Sequence, residues 1–297
     1  MNPLFEIHMR PILGGLLSLI PGAFSLWDKI RPMGDPRPPE FGRNVWNERV
    51  ADVRQAGLNP SLGTVLELGP GRSLSTLISA LLDGSRFAIG VDTVAYASRD
   101  ENLRVFDALA EQCSLPATQR ESLRQKVALA GVPSAQSELK YFAPWTDVTV
   151  APSDSVDFIF SISVLEHVVD PAAIYRACFA WLKPGGVMAH KIDFSCHGIT
   201  KHWNGHYWLP DSIWALIRGH RTYAINRWTL EQHLQTLRDI GFIIVNVNNV
   251  VSMDNALFPA DTPPAERFST LPPESLLIKT CVLVLQKPSN AQPCHND

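Results

Sequence analysis

Two groups of residues in this chain have the types and spacing to do chemistry. The first is Glu67, Gly69, Gly71 and Asp92. Residues 64–73 read Thr-Val-Leu-Glu-Leu-Gly-Pro-Gly-Arg-Ser, an apolar run that ends on an acidic residue and breaks into a glycine turn. A helical apolar pattern, Leu74, Leu77, Ile78, Leu81 and Leu82, follows at once. Strand, glycine turn and helix together let a ligand approach backbone amides at a helix start. A second apolar run, Phe87 to Val91, ends in Asp92. That places a carboxylate at the tip of the next parallel strand, where it can accept both hydroxyls of a ribose. The third glycine of a dinucleotide fingerprint is absent, because Ser73 stands in its place.

The second group is a run of polar and aromatic residues: His167, His190, Asp193, Cys196, His197, His202 and His206, with Trp203, Tyr207 and Trp208 among them. Imidazole titrates near neutral pH, so it serves as a general base or as a metal ligand. As a base, His167 and His197 lead, with Asp193 as the group that orients the imidazole. As ligands, His190, Asp193 and His197 are the available set. Their spacing matches no closed zinc pattern, and the expectation is that no metal is bound. The plainest alternative is that these histidines hydrogen-bond the backbone of a polar loop. The three aromatics either pack that loop onto the core or face a cationic ligand.

From Glu67 to Asp92 the chain resembles class I S-adenosylmethionine (SAM)-dependent methyltransferases, whose first motif reads acidic-x-Gly-x-Gly. Val156 to Val168 is similar to that family's fourth strand and following loop, and it includes a Glu166-His167 pair common in its small-molecule enzymes. Asp170-Pro171 then starts a helix, with a capping side chain and proline at the first helical position. The helix stops at Leu182-Lys183-Pro184-Gly185-Gly186, a stop that recurs in the family. These motifs run in the family's order from about residue 60 to 195.

The resemblance implies an α/β, Rossmann-like fold: a seven-stranded, mostly parallel sheet with an antiparallel last strand. It implies SAM as the cofactor, with Glu67, Gly69 and Gly71 at its methionine part, Asp92 at its ribose, and Ser163 completing the set. It also implies methyl transfer by SN2 displacement onto a small-molecule or carrier-bound metabolite. Two rivals share those motifs. One is attack at the γ-carbon of SAM by its own amine, which yields azetidine-2-carboxylate and methylthioadenosine. The other is a non-catalytic SAM-binding module. Ala143-Pro144 stands where an acidic residue often contacts the adenine, so Trp145 is the candidate on that side.

Composition sets the bounds. At 297 residues and 45% hydrophobic content the chain can bury one large α/β core with additions. A net charge of −3 without a basic stripe argues against a nucleic-acid partner. The five cysteines form no CxxC pair, which fits a reducing, cytoplasmic setting.

Around the motif region, residues 1–43 read as an N-terminal lid segment and Pro-rich connector, with a short helix packed on the core as the plainer alternative to the lid. Its apolar stretch, 11–27, is too short and too Pro-interrupted to span a bilayer. Residues 44–287 read as the SAM-binding domain, opening with a helix over 44–56, and 288–297 as a disordered tail. Insertions are expected at about 93–138, with two helices, and at 195–228. Thr229 and Gln232 make a capping box for a helix ended by Gly241. The remaining strands are expected at 139–142, 186–194, 242–247 and 276–286, the last two as an antiparallel pair at the sheet edge.

Overall fold

Alternation along the first apolar run organises the molecule. In β1 (Thr64–Leu68), Leu66 and Leu68 enter one apolar layer and Val65 enters the opposite one. A strand buried on both faces belongs at the centre of a parallel sheet. The computed structural model describes residues 7–20, 37–113, 115–132, 137–145, 147–221 and 223–289. Residues 1–6 and 21–36 of the expected lid segment and connector, and 290–297 of the expected tail, lie outside them.

The other strands are β2 (Phe87–Val91), β3 (Leu139–Phe142), β4 (Val156–Ile162), β5 (Leu182–Asp193), β6 (Ile243–Val251) and β7 (Ile278–Gln286). They form one seven-stranded sheet in the order β3-β2-β1-β4-β5-β7-β6. The neighbours from β3 to β5 pair parallel, while β7 runs antiparallel between β5 and β6. This is the Rossmann-like class I architecture expected from the motifs.

On one face lie α2 (Pro39–Gln55), α3 (Ser75–Leu82), α4 (Arg99–Glu111) and α5 (Ala117–Ala128). The other face is covered by α6 (Pro171–Trp181) and α8 (Leu230–Ile240). Asp170 caps α6 by accepting the Ala173 N–H at 3.0 Å, and Thr229 with Gln232 forms the capping box of α8. The two expected inserted helices, α4 and α5, pack into the layer with α2 and α3; Ser98 and Glu101, at the start of α4, reach the site.

Two elements depart from the sequence reading. Helix α2 starts at Pro39, five positions before the expected 44, because proline suits the first turn of a helix and Pro38 supplies an extended N-cap. Strand β5 starts at Leu182 and takes in the Lys-Pro-Gly-Gly stop. Pairing of Val156 with Leu182 and a 2.8 Å ion pair from Lys183 to Asp157 hold that segment to β4. Helix α1 (Met9–Ser18), part of the segment expected as a lid, packs on α7 (Asp211–Arg218), with Ser18 Oγ accepting the His220 N–H at 2.8 Å, while Arg37 and Phe41, later in the same segment, reach the site. Among the described residues no helix is long and apolar enough to cross a membrane.

Candidate functional site

The strand order reverses between β1 and β4, and at that point a cleft of about 1710 Å³ opens beyond the carboxyl ends of the strands. Ligands in open α/β sheets bind at this position, because the chains leaving the two central strands diverge there.

One end of the cleft is made by the tips of β1 and β2. Gly69 adopts φ +64°, and a Cβ there would lie 2.6 Å from a Val164 methyl carbon. Gly71 adopts φ +71° and has open space where a Cβ would be, so a ligand can reach its backbone. Asp92 ties strand to turn: Oδ2 accepts the Gly71 N–H at 3.0 Å and Oδ1 accepts the Thr93 N–H at 2.7 Å. Burial raises its carboxyl above the usual range, against the pull of those bonds. Glu67 is 3% exposed, and its Oε2 has no hydrogen-bond partner. Burial pushes the Glu67 carboxyl up to about 8, opposed by a Thr76 hydroxyl and reinforced by Asp92. Trp145 lines the cleft beside them, its backbone N–H donating to the Asp92 carbonyl at 2.7 Å.

The other end lies beyond β4 and β5. Ser163 and His197 both line it, and both are non-glycine residues in the left-handed region, at φ +51° and +49°. Such conformations cost energy and gather at functional sites. The ring centroids of His167 and His197 are 5.1 Å apart. His167 Nδ1 is 2.8 Å from the Tyr223 carbonyl oxygen, to which it donates, so its Nε2 carries the lone pair. Burial, then the neighbouring His197, lowers the His167 pKa. His197 Nε2 lies 3.4 Å from Asp193 Oδ2, and that contact raises the His197 pKa against burial. For Asp193 burial acts upward, but bonds from His197 and Ser195 together hold its carboxyl down at about 2.

The sequence-based site set thus falls into one cleft: Glu67, Gly69, Gly71, Asp92, Ser163, His167 and His197 line it, and Asp193 stands behind His197. His190 does not join them. Positions three apart on a strand face opposite sides of the sheet, and His190 is buried with Nδ1 2.8 Å from Ser161 Oγ. Trp203, Tyr207 and Trp208 are buried in small apolar clusters with Leu276, Leu277 and Phe268, and none lines the cleft. Trp214 on α7 and Tyr223 supply aromatic wall instead.

Two residues outside the sequence-based site set stand at this end: Glu166, named in the sequence only as half of the Glu-His pair, and Asn226. Glu166 is 3% exposed, neither carboxylate oxygen has a partner, and burial pushes it up to about 8. Asn226 clamps the turn that carries it, donating to the carbonyls of Leu165 at 2.7 Å and Val168 at 2.9 Å. The Glu-His pair was the available signal for the first; the second had none. Glu166, His167 and His197 together each offer a possible metal-ligand atom.

Residues 41–246 match the methyltransferase domain family. Among curated proteins, the chain is 32% identical over 168 residues to a ubiquinone biosynthesis O-methyltransferase of Psychrobacter cryohalolentis, covering 56% of this chain and 54% of that one. It is 27% identical over 164 residues to the tRNA 5-carboxymethoxyuridine methyltransferase of Escherichia coli K12, covering 55% and 56%. The chain thus spans about half the length of the curated relatives it matches. A SAM-dependent methyltransferase structure from Mesorhizobium loti aligns with a TM-score of 0.41 at 13% identity, covering 80% of this chain and 96% of that one, too remote to speak to substrate.

The cleft fits such a cofactor on its own terms, because Glu67 presents an orphaned buried oxygen and Gly71 an open backbone. With the family model spanning more than half the chain, the protein belongs to the class I SAM-dependent methyltransferases, and its cofactor is S-adenosylmethionine.

Proposed function

We propose that this protein is a cytoplasmic enzyme that methylates an oxygen of a small-molecule or carrier-bound metabolite. One observation carries the reading: the glycine cradle of β1 and β2 and the histidine pair beyond β4 and β5 open into the same cleft. When bound, SAM supplies a methyl group made electrophilic by the neighbouring sulfonium. We assign Glu67 and the Gly69–Gly71 turn to its methionine part, Asp92 to its ribose, and Ser163 to the wall between cofactor and acceptor. To His167 and His197, with Asp193 behind, we assign the nucleophile's side, where an alcohol or phenol must lose its proton. The chain's main work is alignment and exclusion of water, since displacement at a methyl carbon demands an in-line approach.

Cys113, Cys178, Cys196 and Cys281 are all free thiols, in keeping with a reducing compartment. The net charge of −3 disfavours phosphate-rich partners, while the relative that acts on tRNA makes RNA the necessary control. The test incubates the full chain with SAM and, separately, a small-metabolite extract, an RNA fraction, or nothing, and reads S-adenosylhomocysteine by mass spectrometry. The expected result is product with the metabolite extract alone. Product with RNA alone overturns the acceptor class. Methylthioadenosine from SAM alone overturns methyl transfer in favour of γ-carbon attack.

A further inference from the structure

The histidine end of the cleft holds a sealed carboxyl beside His197 and the Asp193 backbone. Glu166 sits in the turn after β4, 97% removed from solvent by its 3% exposure, with both side-chain oxygens unpartnered. A buried polar group in that state costs stability unless something pairs with it. One ligand-capable atom from each of Glu166, His167 and His197 lies within 4.8 Å of the others.

The two imidazoles are also held as ligands are held. His167 Nδ1 is tied to the Tyr223 carbonyl at 2.8 Å, which leaves Nε2 for a ligand. His197 Nε2 stands 3.4 Å from Asp193 Oδ2, which leaves Nδ1. An outer partner on the second ring nitrogen, a backbone carbonyl or a carboxylate, is what orients metal-ligating histidines. The support is rigid as well. Asn226 clasps the Glu166–His167 turn through two carbonyls, and the Asn226 N–H donates to the Glu166 carbonyl at 2.6 Å.

We propose that Glu166, His167 and His197 bind one divalent first-row transition ion, with Asp193 as the residue that orients His197. Two imidazoles and one carboxylate suit Zn²⁺, Mn²⁺, Fe²⁺ or Co²⁺, whereas Mg²⁺ and Ca²⁺ prefer all-oxygen sets. Because His167 and His197 line the cleft, the remaining coordination positions face the acceptor space. The inference rests on the reading that this end takes the acceptor, and it states how the nucleophile is activated there. An acceptor oxygen joins the ion as a further ligand, its hydroxyl becomes more acidic, and the proton passes to water. The imidazoles then act as ligands in place of a lone base.

The test uses tag-free full-length protein freed of metal by EDTA dialysis. Zn²⁺ and Co²⁺ are titrated by calorimetry, Mg²⁺ serves as control, the Co²⁺ visible spectrum is recorded, and SAM binding is measured on the same samples. One equivalent of Zn²⁺ and of Co²⁺ is expected, with Mg²⁺ at least tenfold weaker. Glu166→Gln, His167→Ala and His197→Ala should each weaken binding by more than about 100-fold, and Asp193→Asn by about 10–100-fold with a shifted Co²⁺ spectrum. Absence of saturable Zn²⁺ and Co²⁺ binding by the unaltered protein overturns the proposal. So does binding that survives in Glu166→Gln, the substitution closest in shape to the native residue. SAM binding without metal binding leaves the lone-base role to His167, whereas metal binding without SAM binding overturns the transferase reading alone.

Discussion

The two ends of the cleft are built in different ways. The end proposed for the cofactor is local: Glu67, Gly69 and Gly71 lie on one strand–turn–helix unit, and Asp92 follows the adjacent strand, which pairs with β1 residue by residue. It rests directly on the main core, where Trp46 of α2 packs against Phe158 and Phe160 of β4. The end proposed for the acceptor is assembled from segments far apart in the chain: the turn at 164–168, the tip of β5 with His197, and the stretch around Tyr223 and Asn226. Its far wall, α7, stands on a separate small cluster with Cys196, Ile199 and Leu209. A local site on a large core tolerates change elsewhere; an assembled one depends on every segment that reaches it.

The largest expected effect tests whether the core underlies the cofactor end. Trp46 is 1% exposed and donates to Asp83 Oδ2 at 2.8 Å. Trp46→Ala should cost about 3–5 kcal/mol by urea unfolding. A loss below about 1 kcal/mol would show that α2 does not brace the sheet. Next, Asp92→Ala should weaken SAM binding about 10–150-fold by calorimetry, the equivalent of losing about 1.5–3 kcal/mol of charged hydrogen bonding. Unchanged affinity would remove Asp92 from the ribose.

Asn226→Ala separates the two ends. It should cost about 1–3 kcal/mol by leaving the Leu165 and Val168 carbonyls without their donor. SAM affinity should stay within about threefold, because no cofactor-end residue bonds to Asn226. A parallel loss of SAM binding would mean that the ends are coupled.

The smallest effect is a pH dependence. The Glu67 carboxyl is raised from 4.5 to about 8 in the folded protein. An acid with a raised folded value is the less stable for it as pH climbs from 4.5 to about 8, because the unfolded chain ionises first. A cationic ligand favours the carboxylate form, so SAM binding should release a proton below about pH 8 and tighten with pH by at most about tenfold per unit. Glu67→Gln should flatten that slope; a slope unchanged by the substitution would exclude Glu67 as its source.

Reading the chain alone worked where contacts are short-range. The Thr64–Ser73 motif, the capping box at Thr229 and the αL glycine at 241 all report local backbone geometry. It left alternatives open where a position's meaning comes from across the molecule. His190 was available as a ligand with Asp193 and His197 or as a backbone-bonding histidine, and strand alternation turns it into the sheet. Trp203, Tyr207 and Trp208 could pack the loop or face a cation, and they pack a satellite core, while Trp214 took the wall. The five-residue early start of α2 shows a proline-rich stretch serving as a helix start.

By itself the sequence determined the sheet's parallel half, the glycine turn and the acidic residues around it, because periodicity and turn chemistry act between neighbours in the chain. Only the tertiary structure decided that Glu166 is sealed from solvent without a partner, and that His167 and His197 meet face to edge beside it. It likewise packed α1 on α7, one wall of the cleft. Burial and convergence are properties of how distant segments pack, and nothing in the local order of residues encodes them.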